Sequence, residues 1–242
     1  MPEGPSIVIL KEEVQHFTNQ KVIAAEGNSS IDKDRLVGQT VIAFKSWGKN
    51  FLICFDGFSL RVHLMLFGTY LINNRKEAQL RLGLQFNNGE LNLYTCQIDV
   101  VEGDINNYYD WSADVMNDNW NAKLAMKKLK ENPDVMVCDA LLDQEIFGGV
   151  GNIIKNEVLY RIFLHPESKL ENIPKEKLEE VISQASAYAF DFLKWKKENV
   201  LKQHWLAHTK KICLRCDLPM HKEVTGKKRR NSYFCPNCQV LY

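Results

Sequence analysis

The stretch from Cys213 to Cys238 constrains this chain more than any other. It reads CLRC, eighteen further residues, then CPNC. Each C-x-x-C offers two thiolates from one tight turn, and two such pairs complete a tetrahedral shell of four sulfurs. A closed shell of Cys213, Cys216, Cys235 and Cys238 leaves no position for water. The expected cofactor is therefore one structural Zn2+ per chain, holding a β-hairpin too small to build its own core. A redox-active pair is the alternative, and two pairs in one basic hairpin argue against it. The hairpin displays KKRRNSYF, four cations and then two aromatics, which suits contact with phosphates. Zinc ribbons also bind proteins, so this surface alone does not settle the partner.

Charge is distributed unevenly. The 242 residues carry a formal net charge of +1. From Lys202 onward there are nine Lys or Arg against two acids, so this end is +7 and the remainder −6. Such asymmetry suggests a polyanion against one face, or else a solvated charged tail. Hydrophobic content of 45% allows one large core or two modest ones. No apolar run reaches membrane-span length and no secretory signal is visible, so a cytoplasmic location is expected. Cys54, Cys96 and Cys138 lie in apolar stretches and are expected to be buried thiols.

Three zones follow from patterning, and the fold class is α+β. Residues 1–110 begin with a helix that has Pro5 at its start and Ile7, Leu10, Val14 and Phe17 at helical spacing. Short β-rich runs follow, among them TVIAFKSW, NFLICF, SLRVHLML, GTYLI and ELNLYTC, punctuated by Gly, Asn and Asp. They predict an antiparallel β-sandwich or barrel. Residues 111–204 read as helices, including VMVCDALLDQ and NIIKNEVLYRIF. Residues 205–242 form the cysteine-bearing hairpin.

Two further stretches carry chemistry. GGVG ends at a predicted helix start near Asn152, where free backbone N–H groups would face an anion; a plain interhelical turn is the alternative. The chain opens MPEGP. Proline there can simply start a helix. With Met1 removed, its nitrogen would be a free secondary amine.

MPEGP, SWGKNFLICF, FGGVGN and the paired C-x-x-C, in that order along nearly the whole chain, resemble the formamidopyrimidine-DNA glycosylase and endonuclease VIII (Fpg/Nei) family of base-excision repair. The resemblance implies a β-sandwich domain, a helix-two-turn-helix domain and a zinc finger, with DNA in the cleft between them. It implies a monomeric DNA glycosylase and abasic-site lyase, nucleoid-associated, acting on double-stranded DNA with damaged bases or abasic sites. Pro2 would attack the sugar C1′ and form a Schiff base. Glu3 would move protons, and Lys49 would approach the damaged nucleotide. Asn152 and Arg230 would grip flanking phosphates, Arg230 lying five residues before Cys235 with Arg229 as a local ambiguity; His63 would be a further phosphate ligand.

Met65, Leu66 and Phe67 form a bulky apolar run that breaks strand alternation at what reads as a strand end. A buried strand is one explanation. With the family, the run resembles the endonuclease VIII device that fills the void left by an extruded base. Most relatives carry a glutamate where this chain has Ser6. The link from the last long helix to Cys213 is short, with no room for the long loop of the Fpg branch. Together with the Met65–Phe67 run, the short link favours the endonuclease VIII branch and oxidised pyrimidines, while Ser6 bears on the efficiency and lesion range of base removal. A catalytically weak or silent damaged-DNA-binding protein is the competing expectation. It would keep the finger and Asn152 but would not need Pro2 and Glu3.

Overall fold

The computed structural model describes residues 2–242, which form two compact units, the first ending at Tyr109 and the second running Asp110–Tyr242.

The first unit opens with α1 (Gly4–Glu13), which has Pro5 in its first turn, where a missing N–H costs nothing. Ile7 and Leu10 of α1, then Val14 and Phe17 just beyond it, are all fully buried. This is the helical stripe seen in the sequence. Six strands follow: β1 (Ala24–Glu26), β2 (Ala43–Trp47), β3 (Asn50–Cys54), β4 (Phe58–Ile72), β5 (Leu80–Phe86) and β6 (Gly89–Glu102). They make one antiparallel sheet in the order β1-β5-β6-β4-β3-β2. Phe44 of β2, Phe51 of β3 and Leu82 and Leu84 of β5 share one core with α1, so strands from both ends of the order close over the same interior. The long strands β4 and β6 stand at the centre of the order.

In the second unit, α2 (Ala122–Lys130) is capped by the Asn121 side chain, which accepts from Leu124 N. Next come α3 (Val137–Ala140), α4 (Asn152–Arg161) and α5 (Lys175–Lys197). β7 (His221–Thr225) and β8 (Arg230–Phe234) form the terminal hairpin. VMVCDALLDQ, read as a helix in the sequence, is helical only over Val137–Ala140. Beyond it the Asp143 carboxylate accepts from Glu145 N, and Gln144 spends its amide on Leu142 O, Val150 O and Gly149 N. These local bonds compete with the helical ladder and turn the chain. From Asn152 to Tyr160, α4 is buried on every side. No helix among the described residues is long and apolar enough to cross a membrane.

Candidate nucleic-acid site and metal centre

Glu3 occupies the N-cap position of α1 and is fully buried, with Pro2 half-buried beside it. Lys49 lies in the two-residue turn joining β2 to β3, where Trp47 pairs with Asn50. Gly48 takes φ 56° at the first position of that turn, as a tight hairpin requires. His63 faces Asn50 across β3 and β4. Its imidazole is hydrogen-bonded to the Lys49 backbone. Burial, then the positive charges of Lys49 and Arg61, hold the His63 pKa below its ordinary value. Lys49 and His63 are thus brought together, one in the β2–β3 turn and the other on β4.

Met65, Leu66 and Phe67 are 47%, 54% and 76% exposed, so they are not the buried strand that their composition also allowed. Nor do they stand at a strand end. They sit inside β4, where pairing with β6 jumps from Leu64↔Cys96 to Thr69↔Tyr94. Four residues of β4 stand against the single Thr95 of β6, itself at φ 50°. The extra residues leave the ladder, and all three apolar side chains turn outward.

In the second unit, Asn152 begins α4 and is 8% exposed. Its Oδ1 meets no hydrogen-bond partner among the described residues, an unusual state for a buried amide. Arg230 begins β8 and is exposed, as are Lys227, Lys228 and Arg229. Asn156 joins the two elements: its Nδ2 donates to Asn231 O at 3.3 Å, and its Oδ1 accepts from Tyr233 N at 3.1 Å. Lys155 Nζ donates to Ser232 Oγ at 2.8 Å and to Asn231 O at 3.2 Å. The Glu157 carboxylate accepts the backbone N–H groups of Leu206, Ala207 and His208 at 2.8–3.0 Å. His208, against Asn156, is pushed down to about 4 by burial and then by Lys155.

The sequence reading did not single out Lys155, Asn156 or Glu157. Its available clue was that α4 has no polar face, so polar residues there must find partners inside the molecule.

The four cysteine sulfurs all lie within 4.8 Å of one another. Cys213–Cys238 and Cys216–Cys235 are 3.8 and 3.9 Å apart. A tetrahedral zinc with Zn–S bonds of about 2.3 Å sets its sulfurs about 3.8 Å apart, so the shell has the right size for that ion. Around it, Tyr160 Oη lies 3.2 Å from Cys213 Sγ, and Asn237 Nδ2 donates to Cys216 Sγ at 3.3 Å. Such outer contacts orient thiolate ligands.

A sheet unit led by α1, followed by a helical unit closed by a four-cysteine hairpin, is the architecture of a DNA-repair glycosylase. Sequence profiles agree: residues 1–97 match the formamidopyrimidine-DNA glycosylase N-terminal domain, and residues 112–198 match the formamidopyrimidine-DNA glycosylase H2TH domain. The chain belongs to the formamidopyrimidine-DNA glycosylase and endonuclease VIII family. Endonuclease 8-like 3 of Mus musculus is 27% identical over 84% of this chain, which spans only 35% of that protein's length. Formamidopyrimidine-DNA glycosylase of Mycoplasmopsis pulmonis is 27% identical, with 99% of this chain and 98% of that one aligned. The Lactococcus lactis formamidopyrimidine-DNA glycosylase, solved non-covalently bound to DNA containing an AP site, shares the fold. Its TM-score is 0.86 at 22% identity, covering 98% of this chain and 99% of that one.

Proposed function

We propose that this protein is a bifunctional DNA glycosylase and abasic-site lyase of base excision repair. The observation that carries the proposal is the fully buried carboxylate of Glu3 at the head of α1, directly after Pro2. A glutamate is rarely buried without a task that offsets the cost of removing it from water. Here its sequence neighbour is the one residue type whose freed terminal nitrogen is a secondary amine.

Once Met1 is removed, the Pro2 nitrogen attacks C1′ of the damaged nucleotide. The C1′–N bond to the base breaks as the base departs with a proton. An iminium forms between Pro2 and the ring-opened sugar. A terminal amine titrates near pH 8 against about 10.4 for lysine, so much more of it is nucleophilic at neutral pH. The iminium is permanently charged and acidifies the C2′ hydrogen. Loss of that proton expels the 3′ phosphate and cuts the strand. Glu3 moves the protons in these steps. Lys49 and His63 meet the damaged nucleotide and its phosphate, and the Met65–Phe67 bulge fills the void in the duplex. Asn152 and Arg230 hold flanking phosphates. Zinc, when bound to the four cysteines, supplies folding energy to the hairpin that bears Arg230.

The exposed bulge and the short link to Cys213 favour oxidised pyrimidines. A duplex panel tests this: the protein should release 5-hydroxyuracil or thymine glycol at least about tenfold faster than 8-oxoguanine, a difference of about 1.4 kcal/mol in barrier. Equal or reversed rates would remove the pyrimidine assignment. Incision of the abasic duplex without release of any base would remove the glycosylase half.

A further inference from the structure

Lys155 is fully buried in α4, one turn beyond Asn152. We propose that Lys155 is a positioning residue: its ammonium fixes β8 against α4 and so holds Arg230 in register with Asn152. The proposal rests on the phosphate-gripping role given to those two residues above.

The anchoring is asymmetric and local. Lys155 Nζ donates to the carbonyl of Asn231 and the hydroxyl of Ser232, the two residues that follow Arg230. On the other side, the buried Asp139 carboxylate accepts the N–H groups of Lys227 and Lys228 at 2.7 and 3.0 Å. Gly226 takes φ 68°, and a Cβ there would lie 2.4 Å from Asp139 Oδ1, so the turn seats directly on that carboxylate. Arg229 and Arg230 are the only residues between the two anchors. The backbone of this two-residue span, fixed on either side by buried charged side chains, keeps one position relative to the helix that bears Asn152.

Stability alone gives no reason for a lysine here. A buried charge is expensive to desolvate, and an apolar side chain of similar length is commonly neutral or stabilising in its place. Ser232 Oγ also contacts Thr225 Oγ1, and Asn231 O also accepts from Asn156, so the hairpin keeps other ties when Lys155 is neutral. Two bonds of the lysine are aimed at the residues next to Arg230.

The test is binding of the full chain to a duplex with a single tetrahydrofuran abasic analogue, by anisotropy. Wild type, Lys155→Met, Arg230→Ala and the double variant are compared, with Tm measured for each. Lys155→Met should keep or raise Tm yet raise Kd about tenfold, and that loss should shrink to under about twofold in the Arg230→Ala background. Equal fold-losses in both backgrounds would overturn the proposal. If Lys155→Met does not fold, Ser232→Ala removes one acceptor and leaves the lysine. It should weaken binding about threefold with Arg230 present and not without it, and a loss that persists without Arg230 would overturn the proposal as well. Wild type binding abasic and intact duplex equally would instead refute the damaged-DNA function, and this proposal with it, before any variant is measured.

Discussion

His63 stands between two cations, and its titration follows from that position. Burial and the charges of Lys49 and Arg61 hold the free protein's imidazole below its ordinary pKa, hence neutral at pH 7. A phosphate placed against it would favour the imidazolium and raise the pKa in the complex. The complex then binds more protons than the free protein, so affinity rises as pH falls through the window between the two values. Binding to an abasic-analogue duplex should tighten between about pH 7.5 and 6, and His63→Gln should flatten the slope by up to about one proton, or tenfold per pH unit. An unchanged slope in the variant would remove His63 from the phosphate site. The carboxylate of Glu3 shows how much of the site a single residue can reveal in sequence. Its position beside Pro2 was legible, whereas its complete burial was not.

At the scale of elements, β4 and α4 carry most of the proposed contacts, by opposite means. β4 presents Met65, Leu66 and Phe67 because a bulge removes them from the ladder. The sequence showed that alternation failed there but placed the failure at a strand end. Nothing in the sequence of β4 announces that a partner residue, Thr95, adopts positive φ. If the bulge fills the gap left by an extruded nucleotide, Leu66→Ala should slow cleavage at a lesion in duplex DNA by about tenfold or more, since unstacking costs a few kcal/mol. It should leave a single-stranded abasic site nearly untouched, because no stack is lost there. Equal losses on both substrates would contradict the wedge. α4 works by burial instead. Its start at Asn152 was readable from GGVGN. Its interior polar residues were not, because the partners of Lys155, Asn156 and Glu157 lie some fifty to eighty residues away in sequence. The failed extension of α3 has a nearer cause: Asp143 and Gln144 satisfy local backbone groups that a helix would have used.

At the scale of the whole molecule, the two units differ in what holds them. The sheet unit and α2–α5 each close over an extended apolar core. The apolar cluster around the hairpin's sulfurs is small: its buried members are Tyr160, Ala207, Cys213 and Cys235, and two of those are the proposed ligands. Such a segment cannot fold on apolar burial alone. Metal analysis should therefore find about one zinc per chain, as a single four-sulfur shell requires. Chelation should abolish binding to the abasic-analogue duplex while most helical circular dichroism persists. Binding that survives complete metal removal would show that the hairpin is ordered without it.

The central claim is that the Pro2 amine forms the covalent intermediate, and borohydride trapping tests it most directly. Full-length protein, with Met1 removal verified by mass spectrometry, is mixed with a duplex bearing one abasic site and reduced. The account predicts a stable protein–DNA adduct that peptide mapping places on Pro2 and that Pro2→Gly severely reduces. No adduct from correctly processed protein, or one mapped to a lysine and undiminished in Pro2→Gly, would contradict it.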